Sequence, residues 1–292
     1  MRALFVRAFR ALPPGAAHAL ERLARTAPFR RGPLRSLVVA GKRALLSGEV
    51  TILHGPAAGL RFAAEETKVG FTLGSEEPEV QAELARVLHP GDAFYDVGAN
   101  VGFMTLVGAR LVGPTGRVVA FEPNPRLAAA ARANAALNDL AQVEVHELAL
   151  ADHEGTARFV VPEESSGAHL ADVQDGEGES FDVDVTTLDA FLARAAQPPP
   201  AVVKLDIEGA EVRALDGMRA TLAAHGPALV VELHGTREPF ERLLAELGYA
   251  VTGGVHDTAR DAGNDHVFAQ PVWGPDAAPP GTTSVTAPDA PQ

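Results

Sequence analysis

From Asp92 onward, short apolar runs alternate with segments whose apolar residues recur at helical spacing. The run AFYDVG precedes a helical pattern over about 102–112 that ends on Gly113. RVVAFEP precedes another over about 125–138, and VEVHELAL follows as a further strand. Later come AVVKLDIEG with a helix from about 209, ALVVELHG with a helix over about 237–247, and the closing runs GYAVTG and DHVFAQP. This alternation predicts an α/β fold: a largely parallel sheet covered by helices on both faces, with ligands at the carboxyl ends of the strands.

Two stretches break the rhythm. Residues 156–188 read as extended segments, TARFVVP and FDVDVTTL, around the polar run EESSGAHLADVQDGEGES, an insertion expected near the sheet edge. Residues 50–75 read as a small β-rich lead-in, and from Trp273 the chain is too poor in apolar residues to fold. The expected organisation is a basic, partly helical arm over 1–49, a β-rich lead-in with a helix over 50–91, a cofactor-binding domain over 92–271 and a disordered tail over 272–292.

A hydrophobic content of 46% is ample for a sizeable core. The chain has no cysteine, which excludes disulfides, thiolate metal sites and a cysteine nucleophile. No apolar run approaches the roughly 20 residues of a spanning helix. The expectation is therefore a cytoplasmic protein, at most peripheral to a membrane. Residues 1–50 carry ten Lys and Arg against Glu21 and Glu49, a balance of +8, which leaves −21 for the rest of a chain whose net charge is −13. An acidic body argues against nucleic acid as partner. Within the arm, Leu4, Phe5, Ala8, Phe9 and Leu12 share one helical side and Arg2, Arg7 and Arg10 the other. Such a helix suits an anionic membrane surface or an acidic partner, and equally suits docking on the protein's own body. A secretory signal fits poorly, because arginines interrupt the apolar run.

The turn after the first core strand, YDVGANVGFMT, narrows the ligand. A dinucleotide fingerprint needs glycines at 98, 100 and 103, and the chain has Gly98, Asn100 and Phe103. What stands there is D-x-G-x-N-x-G, formed by Asp96, Gly98, Asn100 and Gly102. A carboxylate at the centre of the turn would repel a pyrophosphate but suits the ammonium and sulfonium of S-adenosylmethionine, facing its amino-acid end directly or through water. Glu122, in VVAFEPN, lies 20 residues after Gly102, where an acidic side chain can accept hydrogen bonds from both ribose hydroxyls. Asp96 could instead cap a helix, and Asn124 in PNPR is also ordinary turn chemistry. A nicotinamide-dependent oxidoreductase and a non-catalytic S-adenosylmethionine-binding protein are the alternatives to a methyltransferase; the broken glycine pattern speaks against the first.

The runs GSEEPEV, FYDVGANVGFMTL, VVAFEPNP, ALADHEG, VTTLDAFL, VVKLDIEGAEVRALDGM and ALVVELHG, in that order, resemble the FkbM family of S-adenosylmethionine-dependent methyltransferases over roughly residues 70–271. The most specific element is D-x-E-G-x-E, here Asp206, Glu208, Gly209 and Glu211. The resemblance implies the Rossmann-like class I methyltransferase fold with a seven-stranded sheet. It also implies O-methylation of a hydroxyl on a sugar, glycolipid or secondary metabolite, so that the partner is a small-molecule or glycan acceptor. One departure is GSEE in place of GTYE, which puts Glu76 where members often carry an aromatic ring.

A protonated alcohol is a poor nucleophile, so methyl transfer to oxygen needs a base, or a metal that acidifies the hydroxyl, beside the methyl group. Asp206 and Glu208 stand two apart at a strand end and share one side of an extended chain, a repulsive pairing unless something uses it. Glu211 falls in the first turn of the next helix, where either the helix dipole or the site could employ it. The next strand brings Glu232 and His234 to the same edge. Asp206, Glu208 and His234 are the candidate catalytic residues. With Glu232 they could hold Mg²⁺ or a similar hard cation, although no spacing is diagnostic and no metal is assigned. Glu76, Glu77 and Glu79 precede the core and could close over the cofactor as a lid.

Overall fold

The structure, a computed structural model, describes residues 48–63, 69–162, 169–170, 178–256 and 264–272. Residues 1–47 of the arm, 273–292 of the tail and most of the polar run at 163–180 lie outside the described residues. Among the described residues the first elements are a hairpin of β1 (Glu49–Thr51) and β2 (Arg61–Ala63), followed by α1 (Val69–Leu73) and α2 (Pro78–Val87). Then come β3 (Ala93–Val97), α3 (Phe103–Val112), β4 (Arg117–Phe121), α4 (Pro125–Ala136) and β5 (Val143–His146). After the inserted strands β6 (Ala149–Leu150), β7 (Gly155–Pro162), β8 (His169–Leu170) and β9 (Gly178–Thr186), the alternation resumes with α5 (Leu188–Arg194), β10 (Val202–Leu205), α6 (Glu211–Asp216) and α7 (Arg219–His225). It closes with β11 (Ala228–His234), α8 (Arg237–Glu246), β12 (Tyr249–His256) and β13 (Asn264–Pro271).

Seven strands form one sheet in the order β12-β13-β11-β10-β3-β4-β5. The pairs from β11 to β5 are parallel, and β13 runs antiparallel between β11 and β12. Side-chain alternation in the strands explains the two helical layers. Tyr95, Phe121, Leu205 and Val231 point to the face that packs Phe191, Leu215, Leu222 and Phe240 from α5, α6, α7 and α8. Their neighbours Phe94, Val118, Val202 and Val230 point to the other, against Val80, Leu84, Leu106 and Val107 of α2 and α3. The lead-in shares that second core through Ile52 and Phe62, the latter edge-on to Phe103. Each buried side chain of this size contributes roughly 1.5–3 kcal/mol through burial. The phenol of Tyr95 donates to the Pro198 carbonyl at 2.8 Å, so its hydroxyl is not stranded in the core.

The expected insertion at the sheet edge is a second, four-stranded sheet in the order β6-β9-β7-β8. Phe159, Leu170, Val183 and Val185 from it make a satellite core with Ala210, at the start of α6. That contact carries the insertion from the sheet edge to the carboxyl ends of the central strands.

Candidate active site

The turn after β3 shows why its residues alternate as they do. Gly98, Asn100 and Gly102 take φ values of 82°, 51° and 85°, so every second residue is left-handed, open only to glycine and, at modest strain, to asparagine. At Gly98 freedom and space coincide: a Cβ there would lie 1.9 Å from the Asp206 carbonyl oxygen. The turn can therefore press against the segment that follows β10, and the amides of Gly98 and Ala99 both donate to the Phe121 carbonyl at the end of β4. Gly102 lets α3 approach Ala131 of α4, where an added Cβ would meet carbon at 3.0 Å.

Three strand ends thus converge on one cavity. Gly98, Asn100, Glu122, Leu127, Leu150, Asp206, Ile207 and Glu208 line it, and Phe159 and Leu170 of the inserted sheet close one wall. Its empty space, counting the open mouth, is about 670 Å³. Glu122 is held by the Asn100 amide at 2.8 Å on one oxygen and the Asn124 amide at 2.9 Å on the other. Burial pushes its pKa up to about 7, against those two bonds, which favour the anion. Each oxygen keeps a lone pair for a further donor.

The other cofactor candidates have different placements. Asp96 does not line the cavity: it is wholly buried, accepts from Thr105 Oγ1 at 2.6 Å, and lies 4.0 Å from the Lys204 ammonium. Burial raises its pKa against the pull of Lys204 and Thr105. Asn124 caps α4, its side chain accepting from the Arg126 and Leu127 amides at 3.0 and 3.5 Å, while its own backbone amide holds Glu122. Gly102 also stays outside the lining and acts through helix packing.

At the end of β10, Asp206 and Glu208 both line the cavity, and Glu208 is itself left-handed at φ 53°. A non-glycine residue in that region stores strain that its surroundings must hold in place. His234, at the end of β11, stands behind them. Its Nε2 lies 3.3 Å from Glu208 Oε2 and 4.0 Å from Asp206 Oδ1. Its Nδ1 donates to Glu211 Oε1 at 2.9 Å. Glu211, fully buried, also accepts from the Gly209 amide at 2.8 Å and from Thr236 Oγ1 at 3.0 Å. A carboxylate only accepts, so Glu211 fixes the proton on Nδ1 and aims Nε2 at the pair. Burial works against charging His234, but Glu211, Asp206 and Glu208 outweigh it and raise its pKa to about 9. Glu208 is raised, first by burial, with His234 opposing.

Glu232 reaches the same region, 3.7 Å from His234 Nε2. One donor atom each of Asp206, Glu232 and His234 lie within 4.8 Å of one another, whereas Glu208 is not part of that group. Sequence reasoning did not single out Lys204, whose ammonium lies 3.3 Å from Asp206, or His266, which pairs with Glu232 across β11 and β13. The closing strand's antiparallel register could have revealed His266, whereas Lys204 reads as an ordinary strand residue until Asp96 is seen to be buried. Away from this edge, His89 and His225 are exposed and His54 is half-buried, and His18 lies outside the described residues. Glu76 folds back over Gly70, where an added Cβ would lie 2.4 Å from Oε2, and does not line the cavity.

Five parallel strands with an antiparallel strand inserted beside the last, a buried carboxylate at the second strand end facing the cavity, and a turn without the dinucleotide glycines fit a class I S-adenosylmethionine-dependent methyltransferase. The methyltransferase FkbM domain model matches residues 96–264, beginning on Asp96 itself, and the chain belongs to that family. The nicotinamide reading falls with this assignment. Among curated proteins, 31-O-demethyl-FK506 methyltransferase FkbM of Streptomyces tacrolimicus is 30% identical over 177 residues, 50% of this chain and 67% of that protein. Hexuronic acid methyltransferase AglP of Haloferax volcanii is 29% identical over 220 residues, 73% of this chain and 86% of that protein. The crystal structure of methyltransferase FkbM from Methylobacillus flagellatus KT is 21% identical, with 68% of this chain and 52% of that one covered at a TM-score of 0.42; the fold assignment rests on the strand order instead. Among the described residues no helix is long and apolar enough to cross a membrane.

Proposed function

We propose that the protein transfers the methyl group of S-adenosylmethionine to a hydroxyl of a sugar, glycolipid or secondary metabolite, with Asp206, Glu208 and His234 handling the proton. The observation that carries this reading is the Glu208–His234–Glu211 chain at the cavity wall, in which one carboxylate faces the space where an acceptor would stand and an imidazole supports it from behind. The names of two relatives, one acting at a 31-O position and one on a hexuronic acid, agree with an oxygen acceptor.

The sulfonium supplies an activated methyl carbon, so the protein's task is alignment and proton removal. In this reading Glu122 holds the ribose and Gly98 and Asn100 let the turn approach the cofactor. Asp96 supports the turn from beneath rather than by direct contact. The acceptor hydroxyl donates to Glu208 as its oxygen attacks the methyl carbon; the C–S bond breaks, its electron pair stays on sulfur, and the proton ends on Glu208. His234 holds the Glu208 carboxylate through Nε2, and the neighbouring Asp206 carboxylate raises the affinity of Glu208 for the incoming proton.

The test uses methyl-labelled S-adenosylmethionine with a panel of uronic acids, hexoses and polyketide alcohols. Glu208→Gln and His234→Ala should lower turnover by about 100- to 10,000-fold, the range for losing a general base. Affinity for S-adenosylhomocysteine should change little, because the loss falls on the transition state. Label recovered on nitrogen or carbon would overturn the oxygen acceptor, and near-full turnover in both variants would overturn the proton assignment.

A further inference from the structure

On the far side of Glu232 from His234 lies a second cluster that methyl transfer does not employ. β11 and β13 pair antiparallel with Glu232 directly opposite His266. The residue that leads into α2, Glu77, is brought to the same place by a left-handed turn at φ 44°. His266 is 5% exposed, and neither ring nitrogen makes a hydrogen bond among the described residues. Its Nε2 lies 3.4 Å from Glu232 Oε2 and its Nδ1 lies 3.5 Å from Glu79 Oε1. The buried Oε2 of Glu77 is likewise without a hydrogen-bond partner. One donor atom each of Glu77, Glu232 and His266 lie within 4.8 Å of one another, and none of the three lines the cofactor cavity.

We propose that Glu77, Glu232 and His266 form a binding site for one divalent first-row transition-metal ion, Mn²⁺ or Zn²⁺, which pins the start of α2 to β11 and β13. Ligands about 2.0–2.2 Å from an ion stand roughly 3–4.3 Å apart, so small side-chain rotations bring these atoms to coordination. Two carboxylates and an imidazole are a donor set that such ions accept and that alkali ions do not favour. Glu79 supplies what a metal-bound histidine needs behind it: a carboxylate at Nδ1 that keeps the Nε2 lone pair on the ligand side. The competing occupant is a proton, with an imidazolium bridging Glu79 and Glu232. That arrangement accounts for two of the contacts and leaves Glu77 Oε2 stranded, whereas an ion engages all three groups. Lys204 opposes a cation electrostatically, but its one charge faces Asp96, Asp206, Glu77 and Glu232, so the neighbourhood stays negative.

Full-length protein, stripped with chelator and dialysed, is titrated with MnCl₂ and with ZnCl₂ by calorimetry, and with Mn²⁺ by electron paramagnetic resonance. One equivalent should bind, with a rise in Tm. Glu77→Gln and His266→Gln should each weaken binding at least tenfold, and Glu79→Gln by about 10- to 100-fold, as removal of a partner behind a ligand does. His234→Ala should leave binding in place, which separates this site from the Asp206–Glu232–His234 group. Glu77→Gln is isosteric, and circular dichroism confirms its fold. Absence of saturable binding of either metal, binding unchanged in Glu77→Gln, or binding lost in His234→Ala but retained in His266→Gln would each overturn the proposal.

Discussion

Replacing Glu122 by glutamine tests the cofactor assignment and the burial of its carboxylate together. The side chain is 5% exposed, and its pKa stands at about 7 in the folded protein against an ordinary 4.5. Because the folded pKa is the higher one, the native state holds the proton more tightly than the unfolded chain. The contribution to stability is therefore greatest below pH 4.5 and is lost as pH rises through the window to 7. A gap of that size corresponds to roughly 3 kcal/mol. Wild type minus Glu122→Gln, followed by urea denaturation from pH 4.5 to 8, should show that slope, since the amide does not titrate. A ligand whose hydroxyls donate to the anion offsets the cost of its charge, so S-adenosylhomocysteine should bind more tightly at pH 8 than at pH 6. The glutamine variant, which replaces one acceptor by a donor, should lose about 1.5–3 kcal/mol of binding, the range for hydrogen bonds to a charged group. Equal affinity of wild type and variant at pH 8 by titration calorimetry would refute the ribose role. A flat stability difference across the window would show that the two amide bonds fully offset the burial of the carboxylate.

Gly98→Ala should be destabilised by at least about 3 kcal/mol in chemical denaturation, because it combines a left-handed residue at φ 82° with a Cβ 1.9 Å from the Asp206 carbonyl. A loss below about 1 kcal/mol, the cost of positive φ alone, would show that the turn and the β10 end can separate freely. Glu211→Ala leaves the Gly209 amide, Thr236 and His234 Nδ1 without their common acceptor. It should cost about 3 kcal/mol or more and lower turnover even with saturating cofactor, whereas stability within about 0.5 kcal/mol of wild type would show that the three donors find water.

The parallel core was legible because strands buried on both faces are mostly apolar, and the runs around Phe94, Tyr95, Val118 and Val119 carry few polar positions to confuse the period. Glu122 was legible because a single fixed distance, from the first turn to the second strand end, sets its place. The segments of β7 and β9 were read as extended, whereas β8 fell in the run read as a polar loop, and the part of the inserted sheet in the cavity was not foreseen. Phe159 looks like any strand hydrophobe and Leu170 like an isolated apolar residue in a polar run, and it is their cluster with Ala210 and Ile207 that carries them to the site. Glu211 remained ambiguous for a similar reason. A carboxylate in a first helical turn satisfies the dipole wherever it points, and three donors from two other segments decide its direction. Asp96 was placed at the right strand end, but which way its carboxylate turned depended on Lys204 of the neighbouring strand and Thr105 of the helix, contacts that sequence spacing does not encode.

Lys204 draws these observations into one electrostatic scheme. Its register on β10 sets it beside Asp96 of β3, and its ammonium reaches Asp206 at 3.3 Å, so one buried cation answers carboxylates from two strand ends. Burial disfavours its charge, yet Asp206, Asp96, Glu77 and Glu232 more than offset that and raise its pKa. Asp96 depends on it most, because Oδ1 has no hydrogen-bond partner among the described residues and only the ammonium, 4.0 Å away, compensates it. Lys204→Met should therefore cost about 3–5 kcal/mol, the range for stranding a buried charge. If the stranded charge is that of Asp96, then Asp96→Asn in the same background should restore part of the loss, and the double variant should be more stable than the sum of the singles by about 1–2 kcal/mol. Thermal denaturation of the four proteins at one pH measures that coupling. Additivity within about 0.5 kcal/mol would mean that Lys204 acts on Asp206, Glu77 and Glu232 and not on Asp96, and that the turn after β3 is held by its hydrogen bonds without help from the field of the site.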